Sequence, residues 1–278
     1  MRDDLYPFSF GGNKARKAIE FFKRIDSGNY DVVVTYGAPT SNHSRIVSNL
    51  SSQKGLECHV VVPRTENIEQ AQKSFNYQMV EMLGATIHHA DIIDVSNTIE
   101  QLLSKLKEQG KSPFFIPGGG HGMEGTEAYI KAYEEIRQFE DENNVLFDYI
   151  FLPSGTGATQ AGLVIGNYIQ DKKTKIIGIS TARNFDKGFN AIKEAVKDYC
   201  HEHGIESSNI IETIHFETRY NFSGPYDKQE SIADLIDYIF ISEGIPLDLI
   251  YTGKAFYGMS DYIQTNNLRN KNILFRVC

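Results

Sequence analysis

The chain has 278 residues, and its 41% hydrophobic and 23% charged content matches ordinary globular usage, which excludes a disordered tract or a collagen-like repeat. At about 100–200 residues per domain, that length predicts two domains. Lys and Arg total 28 against 36 Asp and Glu, and a net charge of −8 excludes a general basic footprint for nucleic acid while leaving room for local donors around one small anion.

In chain order, short apolar runs alternate with longer amphipathic stretches. Gly11-Gly12 leads into a helical pattern carrying Ala18, Ile19, Phe21 and Phe22. Residues 31–35, 57–62, 85–89 and 113–117 read as strands, and residues 44–54, 68–83 and 96–108 as the helices between them. Gly84 and Gly110 stand where helix C-caps are expected. Residues 118–125 hold five glycines in eight positions, the composition of a hinge or of a backbone that must approach a ligand closely. The second half repeats the rhythm, with strands at 148–152, 175–180 and 272–277 and helices at 158–170, 185–201 and 231–244. Alternating strands and helices predict an α/β protein built on mostly parallel sheet. The acidic run Glu140-Asp141-Glu142 reads as a solvated helix end.

Met1-Arg2-Asp3-Asp4 is too acidic to open a signal peptide, and no apolar run approaches membrane-span length. Cys58, Cys200 and Cys278 are few, widely spaced and odd in number, which fits reduced thiols in the cytoplasm and offers no metal framework. Cys200-His201-Glu202-His203 looks metal-like, but histidines two apart on a helix point to different faces. The expectation is a cytoplasmic protein with no metal, membrane or nucleic-acid partner.

Four segments carry candidate chemistry. Ser154-Gly155-Thr156-Gly157-Ala158-Thr159 follows a buried strand and opens an apolar helix. Small residues there let successive N–H groups point at one anion, and the helix dipole adds to them; a plain cap would need only one small polar residue. The loop lacks the Lys-Ser or Lys-Thr of a P-loop, and Gln160 stands where a dinucleotide fold has its third glycine, so a lone phosphate on a small cofactor fits best. Lys14, in Gly11-Gly12-Asn13-Lys14, starts a helix, where a cation opposes the dipole. It is either part of a surface basic cluster or a nucleophile for a carbonyl cofactor. Ser41 and Asn42, after the 31–35 strand, either cap the next helix or bind a ligand at the carboxyl end of a parallel strand. Tyr251, before Thr252-Gly253-Lys254, is either a packed aromatic or a residue facing the same crevice.

Together, and over nearly the whole chain from Arg2-Asp3-Asp4-Leu5 to Ile273-Leu274-Phe275, these motifs resemble the pyridoxal-phosphate enzymes of the tryptophan-synthase β-like fold, in the branch of D-cysteine desulfhydrase and 1-aminocyclopropane-1-carboxylate deaminase. The resemblance implies a fold type II enzyme: two open α/β domains with the cofactor in the cleft between them. The smaller would run over residues 26–120, and the larger would combine 1–25 with 121–278 and appear shortened at both ends. It further implies that Lys14 carries the pyridoxal as a Schiff base and that Asn42 hydrogen-bonds its ring hydroxyl. Gly155, Thr156, Gly157, Ala158 and Thr159 would cradle the phosphate, and Tyr251 would lie against the ring. Ser41, Asn42 and His43 would face the substrate carboxylate, and Tyr226 would line the substrate side, with Lys14, Ser41 and Tyr251 as the catalytic set.

The implied reaction is elimination and deamination of a small amino acid; with D-cysteine the products would be pyruvate, ammonia and hydrogen sulfide. The deaminases carry Glu directly after the matched tyrosine, against the pyridine nitrogen, whereas this chain has Thr252, which favours the desulfhydrase-like activity over ring opening. Relatives follow the last strand with His-Thr-Gly-Gly, and here Arg276-Val277-Cys278 stand instead. The deaminase itself stays as a second reading, since relatives have broad specificity; the C-terminal departure adds a third, a catalytically inactive relative, and predicts an open sheet edge or unsatisfied backbone at that strand. A homodimer is expected from the resemblance alone.

Overall fold

The computed structural model describes residues 1–65, 68–220 and 229–277. By contacts the chain divides into two compact units, Leu5–Glu124 and a second that joins Met1–Asp4 to Gly125–Cys278. The sequence expectation kept residues 1–25 together with the later unit; packing shares them out at Asp4.

The first unit opens with helix α1 (Asn13–Ser27) and strand β1 (Val32–Tyr36), and continues through α2 (Asn42–Gln53), β2 (Glu57–Pro63), α3 (Ile68–Gln72), α4 (Phe75–Met82), β3 (Thr86–Ala90), α5 (Val95–Glu108), β4 (Pro113–Ile116) and a 3-10 turn at Gly118–Gly120. Its four strands are parallel, in the order β3-β2-β1-β4, with Val33 opposite both Cys58 and Phe114. Both faces are covered, which is why β1 and β2 read as unbroken apolar runs. On one face Phe21, Phe22 and Ile25 of α1 and Ile46 and Val47 of α2 pack on Val33, Val60 and Ile116. On the other, α5 lays Ile99, Leu102 and Leu103 over Val61 and Ala90, and Leu106 over Val32 and Val34. Burying each such side chain contributes about 1.5–3 kcal/mol. The single helix expected over 68–83 is two helices: Ser74 caps α4 by accepting the Tyr77 N–H at 3.4 Å, and that break decides where Asn76 points.

The second unit runs through α6 (Met123–Asn143), β5 (Tyr149–Ser154), α7 (Ala158–Ile169), β6 (Lys175–Ser180), α8 (Phe185–His203), α9 (Ser208–Ile211), β7 (His215–Glu217), α10 (Gln229–Glu243), α11 (Thr252–Thr265) and β8 (Ile273–Phe275). Its sheet is also parallel, in the order β7-β6-β5-β8. Ala255 and Met259 of α11 pack with Phe151, Ile177 and Ile179 on one face. Elsewhere α7 comes so close to α6 that a Cβ on Gly162 would lie 2.3 Å from the Thr126 carbonyl oxygen.

Two expectations are corrected here. Glu140 is not a solvated end: it is 3% exposed, pairs with Arg137 and accepts the Phe147 N–H at 2.6 Å, so it closes the α6 C-terminus onto the following turn. Nor is the backbone at the end of β8 left unsatisfied. The Met1 ammonium donates to the Phe275 carbonyl at 2.9 Å, the Val277 N–H to the Met1 carbonyl at 3.0 Å, and the Asp3 N–H to the Val277 carbonyl at 3.1 Å. The first three residues thus pair with the chain segment that carries on from β8. Among the described residues, no helix is long and apolar enough to cross a membrane.

Candidate active site

Open parallel sheets bind ligands beyond the carboxyl ends of their strands, where the strand order reverses. In the first unit that point lies between β1 and β4. The loop after β1 carries Ser41, Asn42 and His43, and the loop after β4 is the Gly118–Gly120 turn. The turn packs against both α1 and α2, so it gathers Lys14 to the same end of the sheet. The chain enters α1 through four consecutive left-handed residues, Ser9, Phe10, Gly11 and Gly12 (φ from 49° to 90°). Two of the four are not glycine, a backbone that costs free energy and is found where local geometry serves a site. Lys14 Nζ donates to the Gly119 carbonyl at 3.1 Å.

Ser41 is the α2 N-cap: its Oγ accepts the Ser44 N–H at 3.2 Å. Asn42 is exposed, and its Oδ1 accepts from Arg45 at 3.2 Å and from Asn76 Nδ2 at 2.9 Å. His43 is 2% exposed, with Nε2 3.0 Å from Thr35 Oγ1. Thr35 donates its one proton to the Ile116 carbonyl at 2.7 Å, so it can only accept from His43. His43 is therefore the Nε2–H tautomer, and its Nδ1 is a buried lone pair with no hydrogen-bond partner among the described residues. Burial first, then the positive charges of Lys14, Lys17 and His121, hold the imidazole well below its ordinary pKa. A neutral ring with an unused acceptor is suited to taking a hydrogen bond from a ligand.

In the second unit the order reverses between β5 and β8. The loop after β5 is Gly155, Thr156 and Gly157, and α7 starts at Ala158, followed by Thr159. Gly157 takes φ 99°, and a Cβ there would lie 2.8 Å from the Ala191 backbone. No side chain caps α7, so its first N–H groups remain available to a ligand. Ser154 Oγ and Thr181 Oγ1 are buried without hydrogen-bond partners among the described residues. A Cβ on Gly155 would meet only Thr181 Oγ1, at 4.0 Å, so that side of the loop is open. Lys254, in the first turn of α11, donates to the Thr181 carbonyl at 3.4 Å. Uncapped amides, two unused hydroxyls and a nearby ammonium form a donor set that fits a phosphate group. Gln160 has a packing role: its Nε2 donates to the His215 carbonyl at 2.7 Å, and it lies over Gly178.

Tyr251 precedes α11 and is 47% exposed; burial of its hydroxyl and the nearby Asp248 carboxylate raise its pKa. Thr252 is 1% exposed, donates its hydroxyl proton to Asp248 Oδ2 at 2.6 Å and accepts the Asp248 N–H at 2.7 Å. Asp248 Oδ1 also takes the Ile250 and Tyr251 N–H groups, so this carboxylate orders the whole turn. Tyr226 lies outside the described residues.

The structure thus groups Lys14, Ser41, Asn42 and His43 within the first unit, and Gly155 to Thr159 with the start of α11 within the second. The sequence motifs gave no role to Thr181, Lys254, Arg45 or Asn76. Thr181 directly follows β6, and the sheet sets its place relative to Gly155; Lys254 lies within the Tyr251 segment and Arg45 just after Asn42, whereas Asn76 has no motif beside it.

Comparison with known proteins agrees with this donor chemistry. A family model described as pyridoxal-phosphate dependent enzyme matches residues 1–278. The chain is 31% identical over 278 residues to a putative 1-aminocyclopropane-1-carboxylate deaminase of Pyrococcus furiosus, covering 99% of this chain and 82% of the relative. It is 27% identical over 282 residues to a D-cysteine desulfhydrase of Serratia proteamaculans, covering 99% and 83% respectively. Among solved structures, that of an ACC deaminase homologue superposes with a TM-score of 0.83 at 30% identity, over 98% of this chain and 81% of that one. A fungal L-serine ammonia-lyase from Rhizomucor miehei, at 15% identity, TM-score 0.66 and coverage of 98% and 85%, shares the fold.

Proposed function

This chain belongs to the pyridoxal-phosphate-dependent enzyme family, and we propose that within it the protein eliminates a leaving group from Cβ of a small amino acid, as a D-cysteine desulfhydrase does. Bound pyridoxal phosphate supplies a conjugated electron sink for a Cα carbanion. In this reading Lys14 would hold the cofactor covalently, and its Nζ would serve as the base for the Cα proton. Gly155, Thr156, Gly157, Ala158 and Thr159 receive the phosphate, joined by the Ser154 and Thr181 hydroxyls. Asn42 donates to the ring oxygen, and Ser41, Asn42 and His43 orient the substrate carboxylate, His43 through its main-chain N–H in the first turn of α2 because its ring has no proton to give, with Tyr251 against the ring. The protein is further proposed to act in the cytoplasm as a homodimer; its buried free thiols Cys58 and Cys200 suit a reducing compartment.

Thr252 carries the choice of reaction. Its hydroxyl proton is committed to Asp248, so it has neither a carboxylate nor a proton to offer a pyridine nitrogen. With such a residue facing it, the cofactor would be a weaker electron sink, which would favour substrates with a good leaving group such as hydrosulfide. A second reading, deamination of 1-aminocyclopropane-1-carboxylate, draws support from the full-length likeness to relatives of that name. The test is the visible spectrum of the protein with added pyridoxal phosphate, followed by product analysis. Wild type is expected to show the yellow band and Lys14→Ala to lack it, with pyruvate and sulfide formed from D-cysteine faster than 2-oxobutyrate from the cyclopropane. Faster ring opening would reverse the assignment, and an undiminished band in Lys14→Ala would remove Lys14 from its role.

A further inference from the structure

The amide of Asn42 can be oriented without ambiguity. A carboxamide presents an oxygen and a nitrogen of nearly equal size, and only its partners tell them apart. Here one partner is Arg45, a guanidinium that can donate but never accept. The Asn42 atom 3.2 Å from Arg45 is therefore the oxygen. The second partner, Asn76, is fixed in the same way. Its side chain also contacts the Thr40 carbonyl at 2.8 Å, an acceptor only, so the Asn76 atom facing Thr40 is its NH2. That same NH2 reaches Asn42 Oδ1 at 2.9 Å. Two donors from two different helices thus converge on one oxygen.

Both donors are themselves held. Arg45 also donates to the Ser9 carbonyl, and its guanidinium lies 5.2 Å from the centre of the Phe10 ring, so it ties α2 to the strained run that leads to Lys14. Asn76 owes its position to the Lys73–Ser74 break, which starts α4 afresh at Phe75 and sets α4 against α2.

We propose that Arg45 and Asn76 are positioning residues that lock the Asn42 carboxamide by its oxygen, so that Asn42 meets its ligand only as a two-proton donor and selects an anionic oxygen there. Under the pyridoxal-phosphate reading, on which this identification of the ligand rests, that oxygen is the cofactor's ring phenolate. A rotated carboxamide would turn a lone pair towards the same oxygen and repel it. The lock therefore costs nothing at the moment of binding, because the donor is oriented beforehand.

The variant is Asn76→Ala, made at a solvent-accessible position so that the fold is spared; Asn42→Ala serves to assign resonances. Two measurements are made on the full chain. First, asparagine-labelled protein without added cofactor is examined by NMR. The Asn42 side-chain NH2 pair, identified by its loss in Asn42→Ala, is expected to shift or broaden in Asn76→Ala as the carboxamide begins to rotate. An unchanged pair overturns the lock. Second, protein loaded with pyridoxal phosphate is titrated through its visible band. Donation from Asn42 draws charge from the phenolate and weakens its hold on the proton of the neighbouring imine nitrogen. Loss of the lock should therefore raise the midpoint of the band by about half a unit to one unit, with the melting temperature little changed. A band with an unchanged midpoint overturns the ligand-facing role. Absence of any band in wild type would instead sink the pyridoxal reading and the phenolate with it, while the NMR arm still decides whether the carboxamide is locked.

Discussion

At His43 the protein keeps a neutral imidazole in a place where protonation is costly. Burial and three nearby cationic groups, Lys14, Lys17 and His121, all act against a second proton, and the Nε2–H is already committed to Thr35. The consequence for stability has a definite sign. The folded value lies below the unfolded one of about 6.5, so below that pH the unfolded chain binds more protons, and stability falls as the pH drops. Above pH 6.5 the group has no effect. His88 and His215 are lowered as well, each by burial first, and act in the same direction. His43→Gln should flatten the slope of unfolding free energy against pH between about 6.5 and 5 by up to 1.4 kcal/mol per pH unit, measured by urea denaturation across that range. An unaltered slope would mean that His43 titrates normally in the fold. The imidazole's tautomer was not legible in Ser41-Asn42-His43, because it depends on a threonine of β1 and a carbonyl of β4.

The elements that place the loop after β5 explain why its glycines differ. Gly157 combines a positive φ with a Cβ position 2.8–2.9 Å from the Ala191 and Ile192 backbone, so α8 blocks any side chain there. Gly155 has open space instead. Gly157→Ala should therefore lower the melting temperature and weaken pyridoxal-phosphate binding by about tenfold or more, since left-handed strain and a backbone clash together exceed ~1.4 kcal/mol. Gly155→Ala should leave the melting temperature nearly unchanged. Equal effects of the two on melting would refute the proposed contact with α8. The strands of both sheets were legible because burial on two faces gives continuous apolar runs, as in Val32-Val33-Val34 and Ile150-Phe151-Leu152. Less legible were α6, whose buried stripe alternates small Ala128 and Ala132 with Tyr129 and Tyr133, and β7, which has only three residues. The Lys73–Ser74 break leaves no mark in the pattern because Ile68 to Leu83 keeps a helical rhythm across it, and a serine cap is a local event that periodicity averages away.

Across the whole molecule, the two ends of the chain meet on one sheet. Met1 to Asp3 pair with Phe275 to Val277, and the union is sealed by charge: Asp3 is 1% exposed, accepts the Tyr129 hydroxyl at 2.7 Å and is paired with Arg276, which is 0% exposed and lies 4.5 Å from the Tyr129 ring. The residues after Phe275 suggest an open edge at this strand when taken alone, because a pairing between positions more than 270 apart leaves no local pattern in the sequence. A buried ion pair is weak evidence for net stability, yet losing one member is costly, because the other charge stays behind in a low-dielectric setting. Asp3→Asn keeps the shape and removes the charge, and should destabilise the fold by about 3–5 kcal/mol in denaturant unfolding. Arg276→Met alone leaves a buried carboxylate and should cost a similar amount, whereas the double variant Asp3→Asn with Arg276→Met should recover much of the loss, since neither charge is then stranded. If instead the two single losses simply add, the pair does not act as a unit, and the pairing of the first residues with the strand end must be held by its backbone hydrogen bonds alone.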